Sequence, residues 1–393
     1  MNLHVRETVA ALGPAWLVMI ADVDVASIVT GLQAGASWGY HMIFVMLLLT
    51  VPLFLIQDAA GRLGTVGRVG LGEAIGHKYG RRTALFAALP MAVTDFLEYV
   101  AEYAGIAIGL TLLGLPVLLG LLVAYGVHMA IVVGREYRQA EILLLPVSFA
   151  LVATLVASVL LFHVDLGQVA REGLSPIQPY GDPSFRYLAA ASIGAVVMPW
   201  MLYFHSGADA RKGLGLQDVR RERRTTLVSA VVSELVMAAI VIVGVQLPAL
   251  GGAVGVQSAA GVLAPIGPFA TTIVGIGFLA AGFLALVVVS MGSTWGVMEA
   301  AGTTSRRSLL SIYVGESAPA LLLVVFTTSY VPLILGLMVS FTVIIIPSLF
   351  FLGRLVSDPD TMRGRPFRRT ETIAFWAASA AVVGGGLLGM LAL

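Results

Sequence analysis

Charged side chains are scarce in this sequence. Only 11% of its 393 residues are Asp, Glu, Lys or Arg, whereas soluble proteins average about 25%. Hydrophobic residues make up 58% of the chain. Because a water-soluble globule needs a charged surface, this composition excludes one and predicts an integral membrane protein.

Several chemical groups and motifs are also absent. The chain has no cysteine, which excludes disulfides, thiolate metal sites and thiol redox chemistry. Its formal net charge of +1 argues against nucleic-acid binding. It has no Walker loop for ATP and no HExxH zinc motif, so we expect neither an enzyme nor a bound cofactor. Residues 1–10 lack a signal-peptide cleavage site, so we expect the first hydrophobic segment to be retained.

Long apolar runs, in contrast, are abundant. A membrane-spanning helix needs about 20 mostly apolar residues, and eleven segments meet this criterion. They are residues 11–36, 40–60, 84–113, 115–134, 141–163, 186–210, 225–248, 266–296, 308–327, 330–353 and 371–392. The sequence therefore predicts an all-α membrane protein with about eleven transmembrane helices.

The basic residues are distributed unevenly between the two sides of the membrane. If the N-terminus is cytoplasmic, 21 of the 23 Lys and Arg residues lie in cytoplasmic connections, and only Arg171 and Arg186 lie outside. Cytoplasmic loops carry this excess of positive charge in membrane proteins. We therefore expect a cytoplasmic N-terminus and a location in the plasma membrane. The connection 61–83 also contains a short amphipathic stretch, Leu71–Tyr79, which we expect to lie at the cytoplasmic surface as a helix.

Two carboxylates, Asp22 and Asp24, lie near the middle of the first apolar segment. A charge at that depth costs a few kcal/mol, so such residues usually face a protein interior or a water-filled path. Residues two apart point about 200° apart on a regular helix, so both can line one face only if the helix is broken. The alternative is that one Asp caps a half-helix and the other pairs with a distant Arg.

The sixth segment contains Met198 followed by Pro199. Proline lacks an amide donor and clashes with the preceding turn, so it breaks or kinks a helix. Broken helices at matching positions in two halves of a chain indicate a secondary-transporter site, and the first and sixth segments are such positions if each half has five helices. The alternatives are a structural proline kink and a Met198 side chain that only packs.

The third segment carries three acids, Asp95, Glu98 and Glu102, whose spacing puts them on one helical face. They need cations, protons or water if they are ionised together. One interpretation is that all three are solvated near the cytoplasmic end. Glu102 lies deeper in the segment and is the better candidate for a relay role.

Together these motifs resemble the Nramp divalent-metal transporters. The matching runs are residues 13–16, 24–27, 33–36, 39–40 and 357–359, together with Met198-Pro199 and His205-Ser206. The resemblance implies a LeuT-like fold with two inverted five-helix repeats, residues 1–165 and 166–358, and an additional helix in 359–393. It also implies import of divalent metal ions.

The resemblance further implies a metal site, residue by residue. The first-segment motif of the family is Asp-Pro-Gly-Asn, whose Asp falls on Asp24 and whose Asn falls on Ser27. A backbone carbonyl used one turn earlier falls on Ala21. In the sixth segment, the family's Met ligand falls on Met198 and the carbonyl one turn before it falls on Ala195.

This sequence departs from the family pattern at several of these positions. The Asn is replaced by the shorter Ser27, and the Pro-Gly of the motif is missing. Trp200 replaces a histidine linked to proton transport, and Tyr99 replaces a carboxylate of the proton route. Asp22 adds a charge near the site. The combination resembles the Nramp-related branch that is associated with magnesium transport.

These departures shape the expected ion preference and coupling. Magnesium prefers carboxylates and retained water, whereas the Met198 thioether favours softer ions. We therefore expect transport of magnesium and manganese, with weak or absent proton coupling for which Glu98, Glu102 and His205 are the candidates. The alternatives are a conventional proton-coupled manganese or iron importer, an organic-solute transporter of the same fold, and a membrane sensor or scaffold that transports nothing.

Overall fold

The computed structural model describes residues 13–134, 137–160, 164–246, 268–326 and 331–391, and within these ranges the chain forms helices and connections but no strand. The helices are α1 Gly13–Ala21, α2 Val25–Trp38, α3 His41–Arg62 with a π-turn at Leu63–Gly67, α4 Leu71–Tyr79, α5 Arg81–Leu112, α6 Val117–Gly134, α7 Tyr137–Val159, α8 Leu166–Gln168 with a π-turn at Val169–Gly173, α9 Pro183–Val196, α10 Pro199–Lys212, α11 Val219–Gln246, α12 Pro268–Ala301, α13 Arg306–Phe326, α14 Val331–Ile344, α15 Ile346–Val356 and α16 Arg369–Met390.

The number of membrane spans agrees with the sequence prediction. Ten helices of the described chain are long and apolar enough to cross a membrane, and the bent pair α1–α2 makes eleven if it is one span. Each span overlaps one predicted segment, and α4 forms where the amphipathic helix is predicted. The prediction of an all-α, multi-pass membrane protein is therefore confirmed.

Some residues of the sequence predictions lie outside the described ranges. Arg6 and Arg135, which contribute to the predicted charge asymmetry, are among them. The same is true of the outermost residues of several predicted segments, namely 11–36, 141–163, 225–248, 266–296, 308–327, 330–353 and 371–392.

The broken spans lie at the centre of the helix bundle. Helix α2 packs against α9 and α11, and α10 packs against α3 and α12. The span formed by α9 and α10 is almost entirely buried, whereas α6 and α13 are mostly exposed. On α6 the exposed side chains are apolar, including Leu118 and Leu119, as expected of a surface that faces lipid. This arrangement places both breaks away from the lipid.

Both interruptions are visible in the backbone. Helices α1 and α2 meet at 51° across residues 22–24. In the sixth span, Val197 and Met198 have extended conformations and α10 starts at Pro199, so the predicted proline break is confirmed. The break is held tightly by α14, because a Cβ on Gly194 would lie 1.6 Å from the Met338 carbonyl oxygen. Only glycine permits that approach of two backbones.

An ion pair joins α4 to the connection before α16. Lys78 on α4 pairs with Asp358, which also accepts hydrogen bonds from the amide and hydroxyl of Thr361 at 2.9 and 2.6 Å. Partial burial raises the pKa of Asp358, but the Lys78 ammonium and the Thr361 donors outweigh it and lower this pKa to about 2. The amphipathic helix is therefore fastened to the rest of the chain by a charged contact.

Candidate functional site

The start of α2 positions Asp24 in the first break. Asp24 is the N-cap residue, and its Oδ1 accepts a hydrogen bond from the Ser27 amide at 2.7 Å. Aspartate is favoured at this position because its carboxylate satisfies a free amide and complements the positive end of the helix dipole. The other oxygen, Oδ2, is buried and has no hydrogen-bond donor among the described residues. Capping therefore occupies one oxygen of Asp24 and leaves the second free to bind a cation.

Ser27 connects the two breaks. Its hydroxyl donates a hydrogen bond to the Ala195 carbonyl oxygen in the last turn of α9, at 3.0 Å. At the start of α2, the Val25 amide donates to Glu102 Oε2 at 3.4 Å, whereas an unbroken helix would direct it to the Ala21 carbonyl. The structure thus brings Asp24, Ser27 and Ala195 together, with Ala21 at the same interruption.

Met198 lies in the extended residues between α9 and α10. It is fully buried, and its sulfur accepts a hydrogen bond from the Trp200 indole N–H at 3.3 Å. Its own amide donates to the Met201 sulfur at 3.4 Å. Trp200 therefore engages one lone pair of the Met198 thioether.

Two of the third-segment acids approach the same break. Glu98 and Glu102 on α5 are fully buried, as is Asp95, so the interpretation of three solvated carboxylates is wrong. Glu98 interacts electrostatically with Asp24. Neither oxygen of Glu98 has an N–H or hydroxyl donor among the described residues.

Asp22 has an acidic neighbour that the sequence interpretation missed. Glu234 on α11 is fully buried, its two oxygens have no donor in the described part of the chain, and its charge acts on Asp22. Asp22 itself is 1% exposed. Glu234 is the sole acid in the seventh predicted segment, so the rule that singled out Asp22 and Asp24 would have found it as well.

A further acidic group extends from α5 to α13. Tyr99 donates to Glu316 Oε2 at 3.0 Å, and Ser293 donates to Glu316 Oε1 at 3.3 Å. Asp95 interacts electrostatically with Glu316 and has no donor for either oxygen among the described residues. Glu98, Asp95 and Glu316 therefore form an acidic row that leads away from Asp24, in which Glu98 and Asp95 are buried and Glu316 is half-buried.

His205 lies apart from the break, about two turns further along α10. Its side chain contacts Gln57, Asp209 and Glu222.

The central site is a group of buried carboxylates at the first break, next to backbone carbonyls. Buried carboxylates without basic partners are costly unless protons or cations neutralise them. The arrangement is chemically suited to hold a divalent cation.

Comparison with known proteins gives a family match over residues 15–392 and matches to curated relatives over about half of the chain or more. A family model described as Natural resistance-associated macrophage protein-like (Nramp) matches residues 15–392. The divalent metal cation transporter MntH of Xylella fastidiosa strain Temecula1 is 32% identical over 202 residues, which are 50% of this chain and 42% of that protein. With Latilactobacillus sakei MntH the match covers 55% of the relative, so the chain spans about half the length of these relatives.

Solved structures share the fold. The manganese transporter of Eremococcus coleocola, crystallised with an aromatic bis-isothiourea substituted compound, has a TM-score of 0.80 at 18% identity and covers 100% of this chain and 87% of its own. MhsT in complex with L-phenylalanine has a TM-score of 0.64 at 14% identity, with 97% and 98% coverage. These similarities confirm the predicted LeuT-like fold. The repeat boundaries at 165 and 358 stay predictions.

Proposed function

The chain belongs to the Nramp family, and from that premise we propose that it transports divalent metal cations across the membrane by alternating access. The observation that carries this proposal is the hydrogen bond of Ser27 to the Ala195 carbonyl, beside the free oxygen of Asp24. It joins two interrupted helices at a buried anionic group. Interrupted helices of this kind form ion sites in transporters because their unpaired backbone groups face the ion.

Each residue of the site has a proposed role. Asp24 is the anionic ligand, and Ser27 contributes a hydroxyl oxygen. The carbonyls of Ala21 and Ala195 and the Met198 sulfur complete the set with water. Asp22 lies two residues before the cap residue Asp24, where its charge would attract an approaching cation rather than bind it directly.

The proposed substrates are magnesium and manganese. Support for magnesium comes from the oxygen-rich surroundings, because Mg²⁺ keeps several waters and binds through carboxylates. Further support comes from Trp200, whose indole N–H occupies one lone pair of the only sulfur among the proposed ligands. Manganese is compatible with the same oxygen ligands and gains more from any sulfur contact.

We propose that proton coupling is weak or absent, because Trp200 and Tyr99 stand where the family has groups that titrate. Glu98, Glu102 and His205 are the candidates for residual coupling. The acidic row of Glu98, Asp95 and Glu316 favours a second candidate function, a proton-coupled manganese or iron importer. The same acids disfavour a substrate with a carboxylate, since they would repel it.

One uptake experiment separates these functions. Reconstituted vesicles are loaded with a pH dye and supplied with Mn²⁺ in the presence of increasing Mg²⁺. We expect Mg²⁺ to inhibit Mn²⁺ uptake competitively, with little acidification of the vesicle interior. Asp360→Asn, which changes an exposed acid in the connection between α15 and α16, is the matched control for Asp24→Asn. Uptake that ignores excess Mg²⁺ and acidifies the interior supports the second candidate, and no uptake at all contradicts both.

We also propose a plasma-membrane location with a cytoplasmic N-terminus. The support is the distribution of Lys and Arg between alternate connections. Because the chain has no cysteine, single cysteines can be labelled without background. A membrane-impermeant maleimide should label Ile177→Cys, at a side chain 84% exposed, in intact cells. Arg363→Cys should react only after permeabilisation, and the opposite pattern would overturn the orientation.

A further inference from the structure

A second group of metal-ligating side chains lies on α10 and α11, away from the central site. His205 and Asp209 are one turn apart on α10, and Glu222 lies in the first turn of α11. One ligand atom from each of the three lies within 4.8 Å of the others. His205 and Asp209 are fully buried, and Glu222 is 4% exposed. The three side chains therefore form one enclosed cluster.

The basic residues around this cluster have other acidic partners. Lys212 pairs with Glu141 at 2.7 Å. The other two pairs are Arg221 with Asp218 at 2.9 Å and Arg223 with Asp58 at 3.7 Å. The charge of Lys212 also acts on Asp209, but neither oxygen of Asp209 has a hydrogen-bond donor in the described chain.

The imidazole of His205 does not supply the missing donor. Its Nδ1 lies 3.0 Å from Gln57 Oε1, an acceptor, and the neutral tautomer with the proton on Nδ1 is the one that donates to it. In the neutral ring, Nε2 then directs its lone pair at Glu222 Oε1, 3.4 Å away, and Asp209 Oδ2, 3.8 Å away. The 3.8 Å between Nε2 and Asp209 Oδ2 is too long for a hydrogen bond in either tautomer.

We propose that His205, Asp209 and Glu222 form a second divalent-cation site, distinct from the site at Asp24. One imidazole nitrogen with two carboxylates suits a borderline transition metal, because imidazole binds such ions and magnesium prefers oxygen ligands alone. The site should bind Co²⁺ more tightly than Mn²⁺, and Mn²⁺ more tightly than Mg²⁺. The ion would link α10 to α11. Helix α3 packs closely against the cluster, because a Cβ on its Gly61 would lie 2.9 Å from His205 Nε2. This inference goes beyond the proposed transport and does not depend on it.

Cobalt binding to the purified full-length protein tests the proposal. The starting variant is Asp24→Asn, which removes the proposed anionic ligand of the central site and keeps a capping side chain. We expect it to bind one equivalent of Co²⁺ with the visible absorption of a nitrogen-ligated ion. Adding Asp209→Asn or Glu222→Gln should weaken this binding at least about 100-fold, because each removes a direct ligand. Asp218→Asn, the same kind of change at the neighbouring paired acid, should leave the affinity within about twofold.

The outcomes are distinct from those of the transport assay, since binding is measured and not uptake. Competition should place the ions in the order Co²⁺, Mn²⁺, Mg²⁺. A folded Asp24→Asn protein that binds no Co²⁺ would overturn the proposal. So would Co²⁺ binding that survives both Asp209→Asn and Glu222→Gln, because the ion would then lie elsewhere. Displacement by equimolar Mg²⁺ would contradict the assigned ligand chemistry.

Discussion

Asp24 combines a structural and a functional role, and two substitutions can separate them. Its Oδ1 caps α2 through the Ser27 amide at 2.7 Å, and its Oδ2 has no donor in the described chain. Asn keeps the cap and removes the charge, whereas Ala removes both. The pair of variants therefore assigns one effect to each oxygen.

The expected magnitudes differ between folding and ion binding. Loss of an N-cap side chain costs about 1 kcal/mol, and Asn caps as well as Asp does. Asp24→Ala should therefore be about 1 kcal/mol less stable than Asp24→Asn. Both variants lose the anionic ligand, so both should bind Mn²⁺ at least about 100-fold more weakly than wild type, which corresponds to about 2.7 kcal/mol.

Two measurements on the same preparations check this. Thermal unfolding in detergent, without added metal, compares stabilities, and Mn²⁺ uptake by reconstituted vesicles compares function. We expect little or no uptake from either variant and a lower unfolding temperature for Asp24→Ala alone. Near-normal uptake by Asp24→Asn would refute the assignment of the ligand. Equal stability of the two variants would refute the capping role.

Three further changes test other parts of the structure. Trp200→Phe removes the indole donor from the Met198 sulfur, so Mn²⁺ uptake should rise several-fold relative to Mg²⁺ uptake; an unchanged ratio in a competition assay would contradict this. Gly194→Ala should destabilise the protein by at least about 2 kcal/mol in thermal unfolding, because the added Cβ clashes with the backbone. Gly336→Ala is the control. It should be neutral or stabilising, because its Cβ meets open space. Asp358 has a folded pKa of about 2, below its ordinary value, so its ion pair stabilises the fold above pH about 4. Asp358→Asn should therefore lower the free energy of unfolding by about 1 to 2 kcal/mol at pH 7. When unfolding is measured as a function of pH, the difference in this free energy between variant and wild type should vanish as the pH falls towards 2. A difference that stays constant with pH would argue against the ion pair.

The sequence alone determined the number and kind of spans. The reason is that the hydrocarbon thickness imposes a length of about 20 apolar residues on each helix, whatever its neighbours are. It also located the break at Pro199, because a missing amide donor acts on its own turn. Buried acids in apolar segments were visible for the same local reason, and Asp22, Asp24 and Glu102 followed from it.

The family resemblance implied that Asp24, Ser27 and Ala195 share a site, but only the tertiary structure decided which contacts they make and which other acids join them. No proline or glycine marks the bend before α2, which is made by the Asp24 cap and by the contact of the Val25 amide with Glu102 on α5. The hydrogen bond of Ser27 to Ala195 joins residues 168 positions apart. Contacts at that separation depend on how the helices pack in three dimensions, and no local pattern of the sequence encodes them.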